Sequence, residues 1–287
     1  MVTKVSKNII TKNDLKKLIL EEDCFSNLYG CEYDEIENHY SEKLYSIVSD
    51  VIKEKTNLQD TKLEMWDIHN VLEEKYMIYD DKYGINQLSN YLYNLPNDFN
   101  DYYLEFLKFN VRKYIGEDFY FPKTPTVRIQ TPHESSSPFY PFYHSDILLG
   151  HPPYEINIWI PLTPPSQDEG HGFYISDLDS SLNVFKSFDF NWEEMKKNKK
   201  RVNAMLENNA KSVNTDFNRT LIFDSRIFHS TIPMKSHSRI SMDIRIVLKS
   251  RIEEDRAKNI SYNFQTNKTK VPYAPGGAYL EQSIDLI

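Results

Sequence analysis

The stretch RISMDIRIV, residues 239–247, alternates polar and apolar side chains and predicts a β-strand with two different faces. One face carries Arg239, Ser241, Asp243 and Arg245, and the other carries Ile240, Met242, Ile244 and Ile246. A row of polar side chains on a strand is costly to bury unless it faces water or a ligand cavity. The stretch therefore predicts a strand that forms the wall of a polar site.

Four segments before this strand have a similar character. They are short, rich in β-branched or aromatic residues, and separated by Pro, Gly, Ser and Asp, which is typical of strands and turns. They read TPTVRIQTP (124–132), EINIWIPLTPP (155–165), GHGFYISDL (170–178) and RTLIFDSRIFHS (219–230). A lysine-rich stretch without interleaved aromatic residues predicts a solvated helical insertion near residues 190–212. Residues 121–250 are therefore predicted to form a β-rich core.

The first part of the chain has the period of helices instead. Two apolar stripes at spacings of three and four residues predict helices across them. The stripes are Leu44, Ile47, Val48, Val51 and Ile52, and Leu104, Leu107, Val111 and Ile115. Thr11 and Asp14 resemble a helix-capping start. We predict an α+β chain that forms a single domain over 1–287, with a mainly helical part (1–120), the β core, and a C-terminal tail (251–287).

Charge and hydropathy exclude some function classes. The net charge of -8 and the pI near 5.5 would repel a phosphate backbone, so we expect no nucleic-acid partner. No apolar run reaches the roughly 20 residues that cross a bilayer, and the first residues lack the apolar block of a signal peptide. We expect a cytoplasmic protein with no membrane partner.

A possible metal site lies in FYHSDILLG, residues 142–150. His144 and Asp146 are two residues apart, so they can project from one side of a strand end and converge on one ion. Two histidines and one carboxylate are the ligands of many oxygen-activating iron(II) enzymes. His229 is the best candidate for the third ligand, because it closes the predicted strand TLIFDSRIF.

The order His144-x-Asp146, His229, Arg239-x-Ser241 resembles the iron(II)/2-oxoglutarate-dependent oxygenases. The segments INIWIPLTPP and LIFDSRIFHS are similar to the phytanoyl-CoA hydroxylase-like branch and to oxygenases of carbohydrate and antibiotic biosynthesis clusters. The resemblance covers roughly residues 124–248. It implies a double-stranded β-helix, a jelly-roll core like that of the cupins, with the helical N-terminal part packed on it.

The resemblance also implies roles for particular residues. His144, Asp146 and His229 would hold Fe(II), while Arg239 and Ser241 would bind the far carboxylate of 2-oxoglutarate. Reaction with O2 would release succinate and CO2 and hydroxylate the substrate. Because the carboxylate of Asp146 is present, the halide vacancy of the family's halogenases is missing, and halogenation is not expected. Epimerisation, desaturation and ring closure stay open.

Other residues have two interpretations each. Gln130 and Asn157 could reach 2-oxoglutarate or satisfy the backbone at a strand bend. Arg128 and Arg245 could meet an anionic substrate, or pair with Asp243, Asp224 or other acids. His171 could contact the substrate or belong only to a turn.

The resemblance implies a small polar metabolite as substrate, such as a sugar, an amino sugar or a related natural-product intermediate. We expect ILLGHPPYE (147–155) and PYAPGGAYL (272–280) to line its entrance, since both combine turn residues with tyrosine. Alternatively, the tail only packs on the helices.

Two other functions are consistent with parts of the pattern. A cupin-like metalloenzyme could use the same three ligands with Zn²⁺ or Mn²⁺ and no 2-oxoglutarate, but it has no need for Arg239 and Ser241. A β-sandwich carbohydrate-binding module would explain the many tyrosines, but it leaves His144 and Asp146 unexplained.

Overall fold

The structure is a computed structural model that describes residues 16–17, 19–20, 24–78, 86–122, 124–132, 142–149, 151 and 153–257. The α-helices are α1 Phe25–Tyr29, α2 Ser41–Thr56, α3 Gln87–Tyr91, α4 Asn97–Phe106, α5 Arg112–Ile115, α6 Leu178–Ser187, α7 Trp192–Lys197, α8 Lys199–Leu206 and α9 Lys249–Ala257. The strands are β1 Tyr33–Glu37, β2 Phe119–Tyr120, β3 Thr126–Gln130, β4 Ile156–Pro161, β5 Phe173–Ile175, β6 Lys211–Ser212, β7 Arg219–Asp224, β8 His229–Thr231 and β9 Arg239–Leu248. Short 3₁₀ turns span Met65–Asn70, Glu74–Tyr76, Leu92–Asn94 and Asp146–Leu149, and a π-helical turn, Leu107–Val111, joins α4 to α5.

The strands form two antiparallel sheets. The first sheet has the order β1-β7-β4-β9-β2, and β3 also pairs with β9. The second sheet has the order β6-β5-β8, and His144 forms an isolated bridge with His229 of β8. Along the chain, β3, β4, β7 and β9 belong to the first sheet, whereas the His144 bridge, β5, β6 and β8 belong to the second. The chain therefore winds back and forth between the two sheets.

The predicted alternation of residues 239–247 is confirmed. In β9 the four apolar residues lie in the largest core, and the polar face points away from it. That core also contains Ile156, Ile158 and Ile160 of β4 and Val127 and Ile129 of β3. On its far side are buried residues of α2, α4 and α5 and of the π-helical turn.

The helical part and the sheet thus share one core. The two predicted apolar stripes fall on α2 and on the continuous stretch from α4 to α5. The single-domain assignment of 1–287 stays a prediction that this shared core supports. The candidate cap Thr11/Asp14 and the tail after residue 257 lie outside the described residues. Of the helices described, none is both long and apolar enough to span a membrane.

The prediction that the N-terminal part is helical missed β1, which pairs antiparallel with β7 from Tyr33↔Phe223 to Glu37↔Arg219. Its sequence, YDEIE, has one β-branched residue and three acids. Such a segment forms a strand here because β7 supplies hydrogen-bonding partners, and its charges suit the edge of a sheet.

The segment after β5 also differs from the prediction. GHGFYISDL was predicted as a strand through Leu178, but β5 ends at Ile175. The carboxylate of Asp177 accepts a hydrogen bond from the Ser180 amide at 2.6 Å and so caps the start of α6. A local cap therefore ends the strand early.

The lysine-rich insertion is helical, as predicted, but it is not only a solvated segment. Its helices α7 and α8 bury Met195, Val202 and Leu206 in a second core. The same core contains Ile147 and Leu148, which follow the candidate ligand Asp146. The insertion therefore packs against the segment that carries part of the predicted metal site.

Candidate metal centre and ligand cavity

The three predicted metal ligands lie together. His144, Asp146 and His229 each offer a ligand atom, and these atoms all lie within 4.8 Å of one another. The backbones of His144 and His229 exchange two hydrogen bonds of 2.9 Å, which fixes their separation. Asp146 begins the 3₁₀ turn that directly follows. The bridge and the turn, rather than a regular strand, bring the three side chains together.

His229 opens β8 instead of closing the preceding strand as predicted. The reason is a turn after β7, where the carboxylate of Asp224 accepts hydrogen bonds from the backbone and guanidinium of Arg226. Both side chains are buried, and the pair ends β7 and redirects the chain into the second sheet. This turn was not predicted from the local sequence DSR.

Both histidines are neutral at physiological pH. Burial and the neighbouring His229 lower the pKa of His144 to about 3, although Asp146 acts in the opposite direction. Burial also lowers the pKa of His229. The Nδ1 atom of His229 lies 3.2 Å from the carbonyl oxygen of Ile227, so this nitrogen donates. Its Nε2 atom, 4.0 Å from Asp146 Oδ1, is then the lone-pair atom that a metal requires.

Asp146 is ionised although it is buried. Burial raises the pKa of its carboxyl, but Arg245 outweighs this effect and the pKa lies well below its ordinary value. The guanidinium of Arg245 donates from Nε to Oδ2 at 2.8 Å and from Nη2 to Oδ1 at 3.1 Å. Arg245 therefore pairs with an acid, Asp146, and because it also lines the cavity, its contact with an anionic substrate stays a prediction.

The predicted 2-oxoglutarate ligands Arg239 and Ser241 line the same cavity as the two histidines. The side chain of Arg239 is 2% exposed, and its Nη1 donates to the backbone carbonyl of His171 at 2.7 Å. A cation held this firmly in a buried place suits a carboxylate partner.

His171 was a candidate substrate contact, but its side chain is engaged elsewhere. Its ring is fully buried, its Nε2 donates to the carbonyl oxygen of Thr215 at 2.7 Å, and it is not part of the cavity wall described here. The ring also lies edge-on to Trp159, with centroids 5.0 Å apart. His171 thus positions Arg239 through its backbone. The flanking Gly170 and Gly172 have φ of 58° and 60°, which favours glycine.

Gln130 and Asn157 are buried on the polar face of the first sheet. Gln130 lies opposite Arg239 in the register of β3 and β9, and Asn157 lies opposite Arg245 in that of β4 and β9. Within the described part of the chain, Nε2 of Gln130 and both amide atoms of Asn157 have no hydrogen-bond partner. Buried polar atoms of this kind ordinarily have one. Neither residue forms the cavity wall itself.

The cavity has a volume of about 470 Å³. Its wall comprises Arg128, Phe142, Tyr143, His144, Leu148, Trp159, Phe173, Met195, Lys196, Lys199, Val202, His229, Thr231, Arg239, Ser241, Asp243 and Arg245. Arg128 is on the wall and lies 3.4 Å from Asp243, so the pairing is confirmed and contact with an anionic substrate stays a prediction. The predicted entrance segment 147–155 contributes Leu148, whereas 272–280 lies outside the described residues.

Several wall residues were not predicted. Trp159 lies on the same interior face of β4 as Asn157, and the alternation in INIWIP could have indicated this. Met195, Lys196, Lys199 and Val202 come from the helical insertion. Tyr143 is buried among apolar residues and also borders the cavity.

Comparison with known proteins gives similarity in structure only. No family model and no curated protein sequence matches the chain. Solved structures similar to it include the non-heme α-ketoglutarate-dependent carbocyclase SnoK from nogalamycin biosynthesis, at 11% identity and a TM-score of 0.48, covering 83% of this chain and 86% of SnoK. The corresponding epimerase SnoN has 10% identity and a TM-score of 0.39, covering 83% and 84%. EctD from S. alaskensis, solved with 2-oxoglutarate and 5-hydroxyectoine, has 10% identity and a TM-score of 0.37, covering 76% and 73%. SnoK and SnoN are α-ketoglutarate-dependent, and EctD was solved with 2-oxoglutarate bound.

Proposed function

We propose that this chain is an Fe(II)- and 2-oxoglutarate-dependent oxygenase that hydroxylates a small polar metabolite and releases succinate and CO2. One observation carries the proposal. A single cavity contains both imidazoles of a two-histidine, one-carboxylate group and the buried pair Arg239 and Ser241. The presence of both groups in one cavity is explained if a metal and an anionic co-substrate bind side by side.

The donor set fits Fe(II). Two neutral imidazoles and one ionised carboxylate match the ligands of non-haem iron sites and leave positions open for a co-substrate and O2. His144, Asp146 and His229 would hold the metal. Bound Fe(II) supplies the redox chemistry by which O2 oxidises both 2-oxoglutarate and the substrate.

Arg239 and Ser241 would bind the far carboxylate of 2-oxoglutarate. The guanidinium presents several donors in a fixed plane, and the carbonyl of His171 holds it in one orientation. The Ser241 hydroxyl can donate beside it, since both side chains lie on the same face of β9. The amides of Gln130 and Asn157 are further candidate donors, because they have unsatisfied atoms and lie opposite the wall residues Arg239 and Arg245, although neither forms the wall itself.

The apolar part of the wall would keep water from the reacting groups. The rings of Trp159 and Phe173 stack with centroids 4.9 Å apart, and the ring of His229 lies 5.7 Å from that of Phe173. Exclusion of water strengthens electrostatic contacts inside the cavity and limits side reactions.

We also infer that the core is a double-stranded β-helix. Support comes from the way the chain alternates between two antiparallel sheets from β3 to β9. This winding places the bridge of His144 and His229 in one sheet and Arg239 in the other, so that the ligand groups face each other across the interior.

Two alternative functions fit less of the site. A metalloenzyme without 2-oxoglutarate does not require a buried arginine and serine beside the metal. A carbohydrate-binding module does not require three metal-capable side chains that converge on one point.

Succinate formation tests the proposal. The purified chain, incubated with Fe(II), ascorbate, 2-oxoglutarate and air, should form succinate above the protein-free rate, and Asp146→Ala should reduce this to background. Arg219→Ala is the matched control, since Arg219 pairs with Glu35 away from the cavity and should leave the rate unchanged. Undiminished succinate formation by folded Asp146→Ala would refute the assignment.

A further inference from the structure

We propose that Lys196 and Lys199 form a subsite that binds an anionic group of the substrate, a carboxylate or a phosphate. This inference rests on the proposed function in one respect, namely that the ligand of the cavity is a substrate. It narrows the substrate class from small polar metabolites to anionic ones.

The charge of the cavity wall is the first observation. Among the wall residues that the structure describes, five are basic and one, Asp243, is acidic. The basic residues are Arg128, Lys196, Lys199, Arg239 and Arg245. The whole chain has a net charge of -8, so this cluster runs against the overall balance. A concave wall of one sign attracts ligands of the opposite sign.

The three arginines already have partners that explain their positions. Arg239 donates to the carbonyl of His171, Arg245 pairs with Asp146, and Arg128 lies beside Asp243. The two lysines come from α7 and α8 in the helical insertion and not from the β core. The insertion therefore adds two positive charges to a wall that the arginines of the β core already make basic.

The surroundings of the lysines favour an anion between them. Lys196 is half-buried, and burial lowers the pKa of its ammonium group. The charge of Lys199 lowers that pKa further, although Glu193 acts in the opposite direction. An anion bound beside Lys196 would offset both the burial of its ammonium group and the repulsion by Lys199. Lys199 Nζ also lies 5.2 Å from the ring centroid of Phe142, which holds it at the cavity.

The rest of the wall indicates what the anionic group is attached to. Phe142, Trp159, Met195 and Val202 present apolar surface on the same cavity wall as the lysines. A neutral polyol would leave few of its hydroxyl groups paired against such a wall. A substrate with a ring or a short apolar body and one anionic group fits both the apolar and the basic parts of the wall. Its body would pack on the aromatic side chains, and its anionic group would contact the lysines.

Calorimetric titration with matched probes tests the subsite. Phenyl phosphate, phenylacetate and the neutral phenylacetamide would each be titrated into the protein as purified, and again with Fe(II) and saturating 2-oxoglutarate under argon. Saturating 2-oxoglutarate keeps the probes from the Arg239 position. We expect at least one anion to bind about tenfold or more tightly than phenylacetamide, consistent with a charge-assisted contact. The tighter of the two anions identifies carboxylate or phosphate.

Variants assign the preference to the lysines. The double variant Lys196→Gln/Lys199→Gln should lose it, whereas Lys196→Arg/Lys199→Arg should keep it. Lys200→Gln is the matched control, because Lys200 is exposed on α8 and is not part of the cavity wall described here. Equal binding of neutral and anionic probes, a preference that survives in the Gln variant, or anion binding only in competition with 2-oxoglutarate would overturn the proposal. Succinate formation tests the oxygenase separately, because the titration of the protein as purified requires no iron.

Discussion

Replacing Arg245 with methionine should destabilise the metal-free protein by about 3 kcal/mol in its free energy of unfolding. Removing one partner of a buried ion pair costs roughly 3–5 kcal/mol, because the other charge is left buried without compensation. The side chain of Asp146 is 2% exposed and that of Arg245 is 18% exposed. Because Arg245 is partly exposed, we take the lower end of this energy range. With an unfolding entropy of about 2.1 cal/mol/K per residue, the melting temperature of a 287-residue chain should fall by roughly 5 °C.

The pH dependence gives the sign of the effect. In the wild-type protein the folded pKa of Asp146 lies below its unfolded value, so its contribution is present above about pH 4 and is lost as the pH falls through the folded pKa. In Arg245→Met, burial without the cation should raise the folded pKa above the unfolded value. The carboxylate then destabilises the variant at neutral pH, and the difference from wild type should narrow as the pH falls.

Urea denaturation of chelator-treated protein at pH 7.5 and pH 5 measures both effects. Arg128→Met is the matched control, because Arg128 is 40% exposed beside Asp243 and an exposed pair contributes about 1 kcal/mol or less. Adding Zn²⁺ should stabilise Arg245→Met more than wild type, since the metal replaces the missing positive charge at Asp146. If Arg245→Met and Arg128→Met lose equally little stability, and the loss does not change with pH or metal, the role assigned to the pair is wrong.

Three further outcomes follow from the site. Arg239→Ala should raise the 2-oxoglutarate concentration for half-maximal succinate formation about ten- to a hundredfold, and Ser241→Ala less; no change in Arg239→Ala would show that the co-substrate binds elsewhere. Gly172→Ala should weaken 2-oxoglutarate binding, because a Cβ at this position would meet the carbonyl of Ile232 and displace the turn that positions Arg239. Titration with 2-oxoglutarate measures the affinity, and an unaltered affinity would contradict this prediction. The folded pKa values of His144 and His171, about 3 and about 4, lie below the unfolded value near 6.5. The free energy of unfolding of the metal-free protein should therefore fall by up to about 1.4 kcal/mol per histidine for each pH unit below 6.5. Urea midpoints that stay constant from pH 7.5 to 5 would contradict this.

The strands and the convergence of three metal-capable side chains could be predicted because their signals are mostly local. The alternation in RISMDIRIV is a property of nine consecutive residues, and it assigned Arg239 and Arg245 to one face correctly. His144 and Asp146 are neighbours in sequence, so a single turn brings them together. The third ligand, His229, could be selected only because of its place near the end of a β-rich segment and the motif that follows it.

The partners of these residues could not be predicted, since they depend on tertiary contacts. Arg245 pairs with Asp146 across 99 positions, and the alternation of β9 gives its face but not its partner. His171 acts through a backbone carbonyl, which its side chain does not signal. The charges of Lys196 and Lys199 suggested a solvated helix, and only the packing of α7 and α8 brings these side chains to the cavity.

Anaerobic titration with Fe(II) and 2-oxoglutarate tests the central claim most directly. If His144, Asp146 and His229 hold the metal and Arg239 holds the co-substrate beside it, a weak visible metal-to-ligand absorption band should appear and saturate at one equivalent of each. The band should be absent from Asp146→Ala and should require more 2-oxoglutarate in Arg239→Ala. A wild-type protein that binds Fe(II) but gives no band with 2-oxoglutarate would contradict the account and favour a metalloenzyme of another kind.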